Sequence, residues 1–369
     1  MGDSSKEGAT MTAGMDLGDK YSHLCLLDTK TGEVIEEGRI RTTAEALEAR
    51  FGDAGRLSIA VEAGTHSPWV SRLLEECGHE VVVANPRKTR LIHAGSRKND
   101  RIDAEKLARL LRSDVELLYP IVHRGEDAQA HLALVQSREA LVRSRARLIN
   151  HVRGTVKSFG ARLPKCSTAA FHKKAPEGVP PELEEALSPV VEAIASLTKT
   201  IADYERRIGE IAERSYPETA SLRQVAGVGT LTALTFVLTL EESSRFEKSR
   251  SVGAYVGLVP GQDQSGGQDP QRRITKEGDE MLRRLLVGSA NYILGPFAPD
   301  SDLRRHGEKL MTTGGKRARK RAVVAVARKL SVLLHSLWRT GEPYEPLRNS
   351  RPSASEGSDS ESPEGGEAA

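Results

Sequence analysis

Four acidic residues have types and settings that could do chemistry together. Asp16 sits in Gly-Met-Asp-Leu-Gly and Glu62 in Ala-Val-Glu-Ala-Gly, each at the close of an apolar run. Asp100 and Asp103 fall in Lys-Asn-Asp-Arg-Ile-Asp-Ala, three apart and therefore on one face if the segment is helical. A carboxylate closing an apolar strand needs a partner, because burial penalises an uncompensated charge. Four of them converging would repel one another unless hard cations intervened, and oxygen ligands of this kind suit Mg2+ or Mn2+. Two such ions about 3.5–4 Å apart can clamp the attacking and leaving oxygens of a phosphodiester. The commoner role of an Asp at a helix start is capping, and Asp100 taken alone reads that way. Arg97, Lys98 and Arg101 crowd the same stretch, preceded by Arg87, Lys88 and Arg90 with no acid between them and Asp100. Cations beside a metal-binding cluster are what a polyanionic backbone requires, the alternative being a solvated charged face.

The elements that must position these residues follow from periodicity. Residues 11–17, 22–28 and 33–40 read as a three-stranded antiparallel meander, with Thr-Lys-Thr-Gly as a turn. A helix over 42–51, a buried strand over 57–62, a helix over 67–77 with Pro68 in its first turn, and a strand over 80–84 come next. Ile102, Leu107, Leu110 and Leu111 then mark a helix over 100–112. The order β-β-β-α-β-α-β-α is that of an α/β RNase H-like domain, spanning 12–125 after a flexible start at 1–11. In such a sheet the first and fourth strands are neighbours and the last helix crosses their ends, which would gather all four acids.

Residues 126–215 read as two long helices joined by a polar, Pro-containing connection, either an antiparallel coiled-coil arm or an ordinary helical linker. Residues 216–342 form a mostly α C-terminal domain. Its Val-Ala-Gly227-Val-Gly229-Thr looks like a helix-hairpin-helix turn whose glycines let backbone N–H groups approach a phosphate, although a plain helical turn has the same look. A polar loop follows, with Ser265 ahead of two glycines and then Arg272, Arg273, Lys276, Arg283 and Arg284. A serine taking up a phosphoryl group needs cations of this kind around the transition state. The surroundings do not match Gly-x-Ser-x-Gly, which disfavours a hydrolase elbow. The final helix, near 316–339, carries Lys316, Arg317 and Lys320 among other cations, and no acid occurs from Lys309 through Thr340. Residues 343–369 read as a disordered tail.

Composition narrows the classes. Aromatic residues are 4% and all hydrophobics 38%, so aliphatic side chains must fill the cores, which suits helices better than an all-β sandwich. Net charge is only +3, so the basic clusters, not the balance, point to nucleic acid. The 3 cysteines lack metal-ligand spacing, and reduced thiols without a zinc site are expected. No apolar run suits a bilayer, and the first residues lack a secretory core, so a soluble cytoplasmic protein with no membrane partner is expected.

These blocks together carry a resemblance. Met-Asp16-Leu-Gly, Val-Glu62-Ala-Gly, Lys-Asn-Asp100-Arg-Ile-Asp103-Ala, Val-Ala-Gly-Val-Gly, Tyr-Val-Gly-Leu-Val-Pro, Ser265-Gly-Gly, Ile-Thr-Lys-Glu-Gly and Val-Ala-Val-Ala-Arg-Lys-Leu occur in order across residues 12–342. The chain thus resembles the DEDD transposases of insertion-sequence family one-ten. The resemblance implies a RuvC-like N-terminal domain, a coiled-coil arm and a C-terminal transposase domain bearing Ser265. It also implies donor and target DNA as partners, selected by a structured guide RNA called a bridge RNA, and a phosphoserine intermediate at Ser265. Asp16, Glu62, Asp100 and Asp103 would hold Mg2+ near the same phosphate, in composite sites assembled within a homo-oligomer (dimer or tetramer) associated with the nucleoid when active. The rival readings are a RuvC-type junction nuclease using the carboxylates alone, and an inactive nucleic-acid-binding relic.

Overall fold

Alternation along the first strands decides the architecture of the N-terminal third. In β1 (Met11–Asp16), β2 (Tyr21–Asp28), β3 (Val34–Arg41), β4 (Ser58–Glu62) and β5 (Glu80–Ala84), successive side chains point to opposite faces. Ala13, Met15, Leu24, Leu26, Ile59, Val61 and Val83 fall on one face and pack with Leu47 and Phe51 of α1 (Ala44–Phe51) and Val70 and Leu74 of α2 (Ser67–Glu76). The other face is small, with Cys25, Leu27, Ala60 and Ala84 meeting Ala104, Leu107 and Ala108 of α4 (Asp100–Ser113). A short helix, α3 (Pro86–Ile92), follows β5. The computed structural model describes residues 11–92, 99–261, 272–315 and 317–350. Arg97, Lys98, Ser265, Lys316 and the segments 1–10 and 351–369 therefore lie outside the described residues.

The sheet order is β3-β2-β1-β4-β5. The first three strands are antiparallel neighbours, whereas β4 runs parallel to both β1 and β5. Burial pushes the Cys25 thiol beneath α4 up to about 11, with Glu37 and Glu105 adding to the effect, so it stays protonated. Cys25, Cys77 and Cys166 are all free thiols.

The chain divides into two compact units, Met1–Gly125 and Glu126–Ala369. In the second, α5 (Glu126–Ser158) and α7 (Pro181–Ser215) lie antiparallel, with α6 (Phe171–Lys174) between them in sequence. Their direction follows from the partners. Ile149, Val152 and Val156 cluster with Leu187, Val191 and Ile194, while Ala128, Leu132 and Val135 cluster with Ile208 and Ala212. Buried Leu187, Ile194, Ile201 and Ile208 recur every seventh position, a narrow apolar seam. Arg138 pairs with Glu205 and Arg145 donates to Thr198 at 3.3 Å across it.

After α8 (Thr219–Leu222), the apolar α9 (Thr230–Leu240) is buried at every residue from 232 to 240. It packs against α5 and α7, and against α11 (Glu280–Ile293), so the long pair and the C-terminal helices share one unit. A short helix, α10 (Val252–Tyr255), α12 (Asp302–Thr312) and α13 (Ala318–Thr340) complete it. Sequence periodicity did not place α12. Its apolar positions are sparse among Arg, His, Glu and Lys, and packing on α13 sustains it. Ahead of the Gly227-Val-Gly229 turn the helix is short, only the four residues of α8, which ends at Leu222. Past α13, residues 343–350, expected in a disordered tail, are tied to the unit: Asp302 N donates to Pro346 O at 2.8 Å, and Asn349 N to the Asp302 carboxylate at 2.8 Å.

One core contact makes a pH prediction. His335 is fully buried, its ring nitrogens 2.9 Å from Ser249 Oγ and Ser243 O. Burial holds its pKa below the ordinary 6.5. Between that lowered value and 6.5 the unfolded chain carries the proton and the folded chain does not, so stability rises with pH across the window. The contribution is complete above 6.5 and is lost on acidification, with a limiting slope of about 1.4 kcal/mol per pH unit. Urea melts from pH 5 to 8 are expected to show this decline, and His335→Asn to flatten it, leaving the shares of His123 and His306, whose pKa values are also lowered by burial. An unchanged slope in His335→Asn would discard the assignment.

Candidate functional site

Strand register brings the first two acids together. Met15 pairs with Val61 across β1 and β4, so Asp16 and Glu62 occupy the next row at the carboxyl ends of adjacent parallel strands. Parity places both on the face of Gly14 and Ala60, the face covered by α4. That helix approaches the sheet closely. A Cβ built at Gly14 would stand 2.5 Å from Ala108 N and closer still to Ala104 O. At its far end Arg112 donates to Thr29 O at 2.9 Å and Lys30 O at 3.0 Å, beyond the end of β2. The helix thus runs antiparallel to β1, and its first turn, with Asp100 and Asp103, lies toward the strand ends that carry Asp16 and Glu62.

The four carboxylates share a face and an edge, but they do not close into one cluster. Among the described residues no group of three or more His, Cys, Asp or Glu side chains is placed to hold a metal ion. Asp103 Oδ1 instead takes the Lys106 ammonium at 3.1 Å, and Asp100 is exposed. The physical reason is mutual repulsion: a carboxylate with a cation one helical turn away pairs with it in preference to joining like charges. The donor chemistry, carboxylates only, suits a hard divalent ion, whereas the side-chain arrangement as it stands is not a complete ligand set. Capping, the alternative for Asp100, falls to Asn99, whose side chain accepts from Arg101 N at 3.2 Å. Arg101 itself pairs with Glu37 of β3.

Sequence reasoning missed the ties that hold the segment after Glu62. Ser67 Oγ accepts from Gly64 N at 2.9 Å and lies 2.9 Å from His123 Nε2. Trp69 Nε1 donates to His66 Nδ1 at 3.2 Å, which leaves the Nε2 proton of neutral His66 facing Asp19 at 3.5 Å. The only hint was the Thr-His-Ser-Pro-Trp run itself, which reads as a helix start.

In the second unit the base of the Ser265 segment is well defined. Pro260 bridges Ile274, Gly261 N donates to Arg273 O at 2.9 Å, and Thr275 N donates to Val259 O at 2.9 Å. Gly257 and Gly278, both at positive φ, let the two arms interlock, since a Cβ at either would strike the backbone of Glu277 or Tyr255. Arg283 ties the base down by donating to Val256 O at 3.1 Å and Glu277 O at 2.9 Å. Arg284 pairs with Glu139 of α5 at 2.9 Å. These two cations therefore have internal duties.

The other predicted cations converge. A cleft of about 1600 Å3 is lined by Arg272, Arg273 and Lys276 from the loop base and by Arg317 and Lys320 at the start of α13. Arg321, Arg328 and Lys329 join them along the same helix face, with His306 from α12 and Arg348 from the C-terminal segment. Gly227 and Gly229 do not line it. Gly227, at φ +85, packs tightly on Tyr292 and Ser289 of α11, which explains a glycine there by close approach. Gly229 is the N-cap residue of α9. Among the described residues no helix is long and apolar enough to cross a membrane.

Comparison with known proteins gives a consistent picture. A DEDD transposase family model matches residues 13–160, and a model described as the transposase IS116/IS110/IS902 family matches residues 219–302. The first span contains all four carboxylates and the second contains Ser265. The chain is 34% identical over 243 residues to the transposase for insertion sequence element IS1328 of Yersinia enterocolitica, covering 64% of this chain and 70% of that protein. It is 30% identical over 295 residues to a putative transposase, y4pF/y4sB, of Sinorhizobium fredii, covering 78% and 74%. With the transposase for insertion sequence element IS1111A of Coxiella burnetii it shares 27% identity over 340 residues, 90% of each chain.

Proposed function

We propose, because this chain belongs to the IS116/IS110/IS902 family of transposases and is thus a DNA-processing enzyme, that it cuts and rejoins DNA through a covalent serine ester at Ser265. The single observation that carries the reading is the built base of the Ser265 segment, whose Arg272, Arg273 and Lys276 line a cleft shared with Arg317, Lys320, Arg321, Arg328 and Lys329. In the proposed step Ser265 Oγ attacks the scissile phosphorus, a serine–phosphate ester forms, and one DNA oxygen leaves with a proton. Attack by a DNA hydroxyl on that ester then restores a phosphodiester and the serine. The cations stabilise the charge that builds on the phosphoryl oxygens.

The sheet order, with β4 parallel to β1 and α4 packed along the face that carries Asp16 and Glu62, supports an RNase H-like, RuvC-like reading of the first unit. Domains of the DEDD kind use a divalent metal. Asp16, Glu62, Asp100 and Asp103 are the residues that would hold it here, as Mg2+ or Mn2+. When bound, such an ion polarises a phosphoryl oxygen and stabilises a leaving alkoxide. The seven-residue spacing of the seam between α5 and α7 supports an antiparallel coiled-coil arm, and the proposed dimer or tetramer rests on the family resemblance alone. A structured guide RNA is proposed to choose donor and target sequences by base pairing, leaving the protein to read backbone and shape.

Incubation with donor DNA, target DNA, guide RNA and Mg2+ is expected to give a protein–DNA adduct that survives detergent and disappears in Ser265→Ala. Free nicked product from Ser265→Ala would favour metal-dependent hydrolysis by the carboxylates alone.

A further inference from the structure

The cleft has a property that phosphate binding alone does not call for. One face of α13 lines it at helical spacing, and the character of that face changes along its length. The first half presents Arg317, Lys320, Arg321, Arg328 and Lys329. Interleaved and beyond come Val324, Ala325, Val332 and Leu333, each only partly buried, with Leu310 of α12 and Ile274 of the loop base opposite. Partly exposed aliphatic side chains gathered in a concavity mark a surface that something apolar covers.

We infer that this cleft takes a short single-stranded stretch of DNA, with phosphates on the cationic rim and bases against the aliphatic floor. The inference rests on reading the cleft as a nucleic-acid surface and names the form of DNA it accepts. A duplex keeps its bases stacked inside and offers phosphates and groove edges, so it would use the rim and leave the floor wet. Unpaired bases expose flat, weakly hydrated faces that the floor can cover. The cavity, about 1600 Å3, exceeds the roughly 300–1,000 Å3 of small-molecule sites, which suits several residues of a polymer. Charge favours a polyanion: the lining acids are Asp302, already bonded to Asn349, and Glu345. Such a site would serve the proposed chemistry by holding a cut strand between leaving its old complement and joining a new one.

The test measures anisotropy of full-length protein with labelled dT12, rU12 and a 20-base-pair duplex. Leu333→Gln is expected to weaken dT12 at least fivefold and the duplex less than twofold. Ala325→Gln, at a more tolerant position, repeats the measurement should Leu333→Gln melt early. Lys320→Gln with Arg321→Gln is expected to weaken both ligands and reduce their salt dependence. Equal loss for dT12 and duplex in the floor variants, or no loss for either, overturns the inference while leaving the cleft a DNA surface. Tenfold preference for rU12 over dT12 overturns the assignment to DNA. Absence of any nucleic-acid binding to the wild-type protein would instead remove the underlying reading of the cleft.

Discussion

Gly14→Ala is expected to destabilise the first unit by about 3 kcal/mol or more, the upper end of what overpacking costs, and to abolish strand transfer with it. The added methyl would meet the backbone of Ala104 and Ala108, which cannot rotate away as a side chain could. Relief requires α4 to lift from β1, and the lift carries Asp100 and Asp103 away from the row of Asp16 and Glu62. The same change at Gly38 of β3, where nothing lies within 4 Å of the new Cβ, is expected to be nearly neutral. Urea melts followed through Trp69 in a Trp338→Phe background would compare the two. Equal midpoints for the Gly14 and Gly38 variants would show that helix and strand are not in the contact described.

Asp16→Asn and Glu62→Gln are expected to act on catalysis without unfolding the unit, with a loss of strand transfer of at least ~1000-fold, equivalent to about 4 kcal/mol of barrier. Both substitutions keep shape and remove charge at strand ends that are only half-buried, so the fold should persist. Thermal midpoints with and without Mn2+ supply a readout independent of turnover: the wild-type midpoint should rise on adding the ion and those of the variants should not. A variant that kept both the metal-induced rise and strand transfer would remove Asp16 and Glu62 from the proposed ligand set. Lys106→Gln is a useful companion, since the ammonium it removes is the present partner of Asp103.

Much of the first unit was legible because strand alternation is a short-range rule. Apolar residues at 13, 15, 24, 26, 59 and 61 declare one buried face, and Asp16 and Glu62 then fall on the other by parity. Helical spacing likewise placed Asp100 and Asp103 on one turn. Charged side chains were a poorer guide. Arg101, Arg283 and Arg284 look in sequence like Arg272 and Arg317, yet the first three serve Glu37, two backbone carbonyls and Glu139. A cation's task depends on what lies opposite it, and no local pattern records that.

The chain's own order of residues thus determined the strands, the long helices, the membership of a transposase family and the positions of the four candidate acids along it. Tertiary structure decided how close those acids come, and left Asp103 with Lys106 because the nearer cation wins over like charges. It decided that Gly14 is a contact surface for α4, and that cations from the loop base, α12, α13 and the C-terminal segment share one cleft with an aliphatic floor. Local periodicity is set by neighbours a few residues away; convergence is set by packing between segments tens of residues apart.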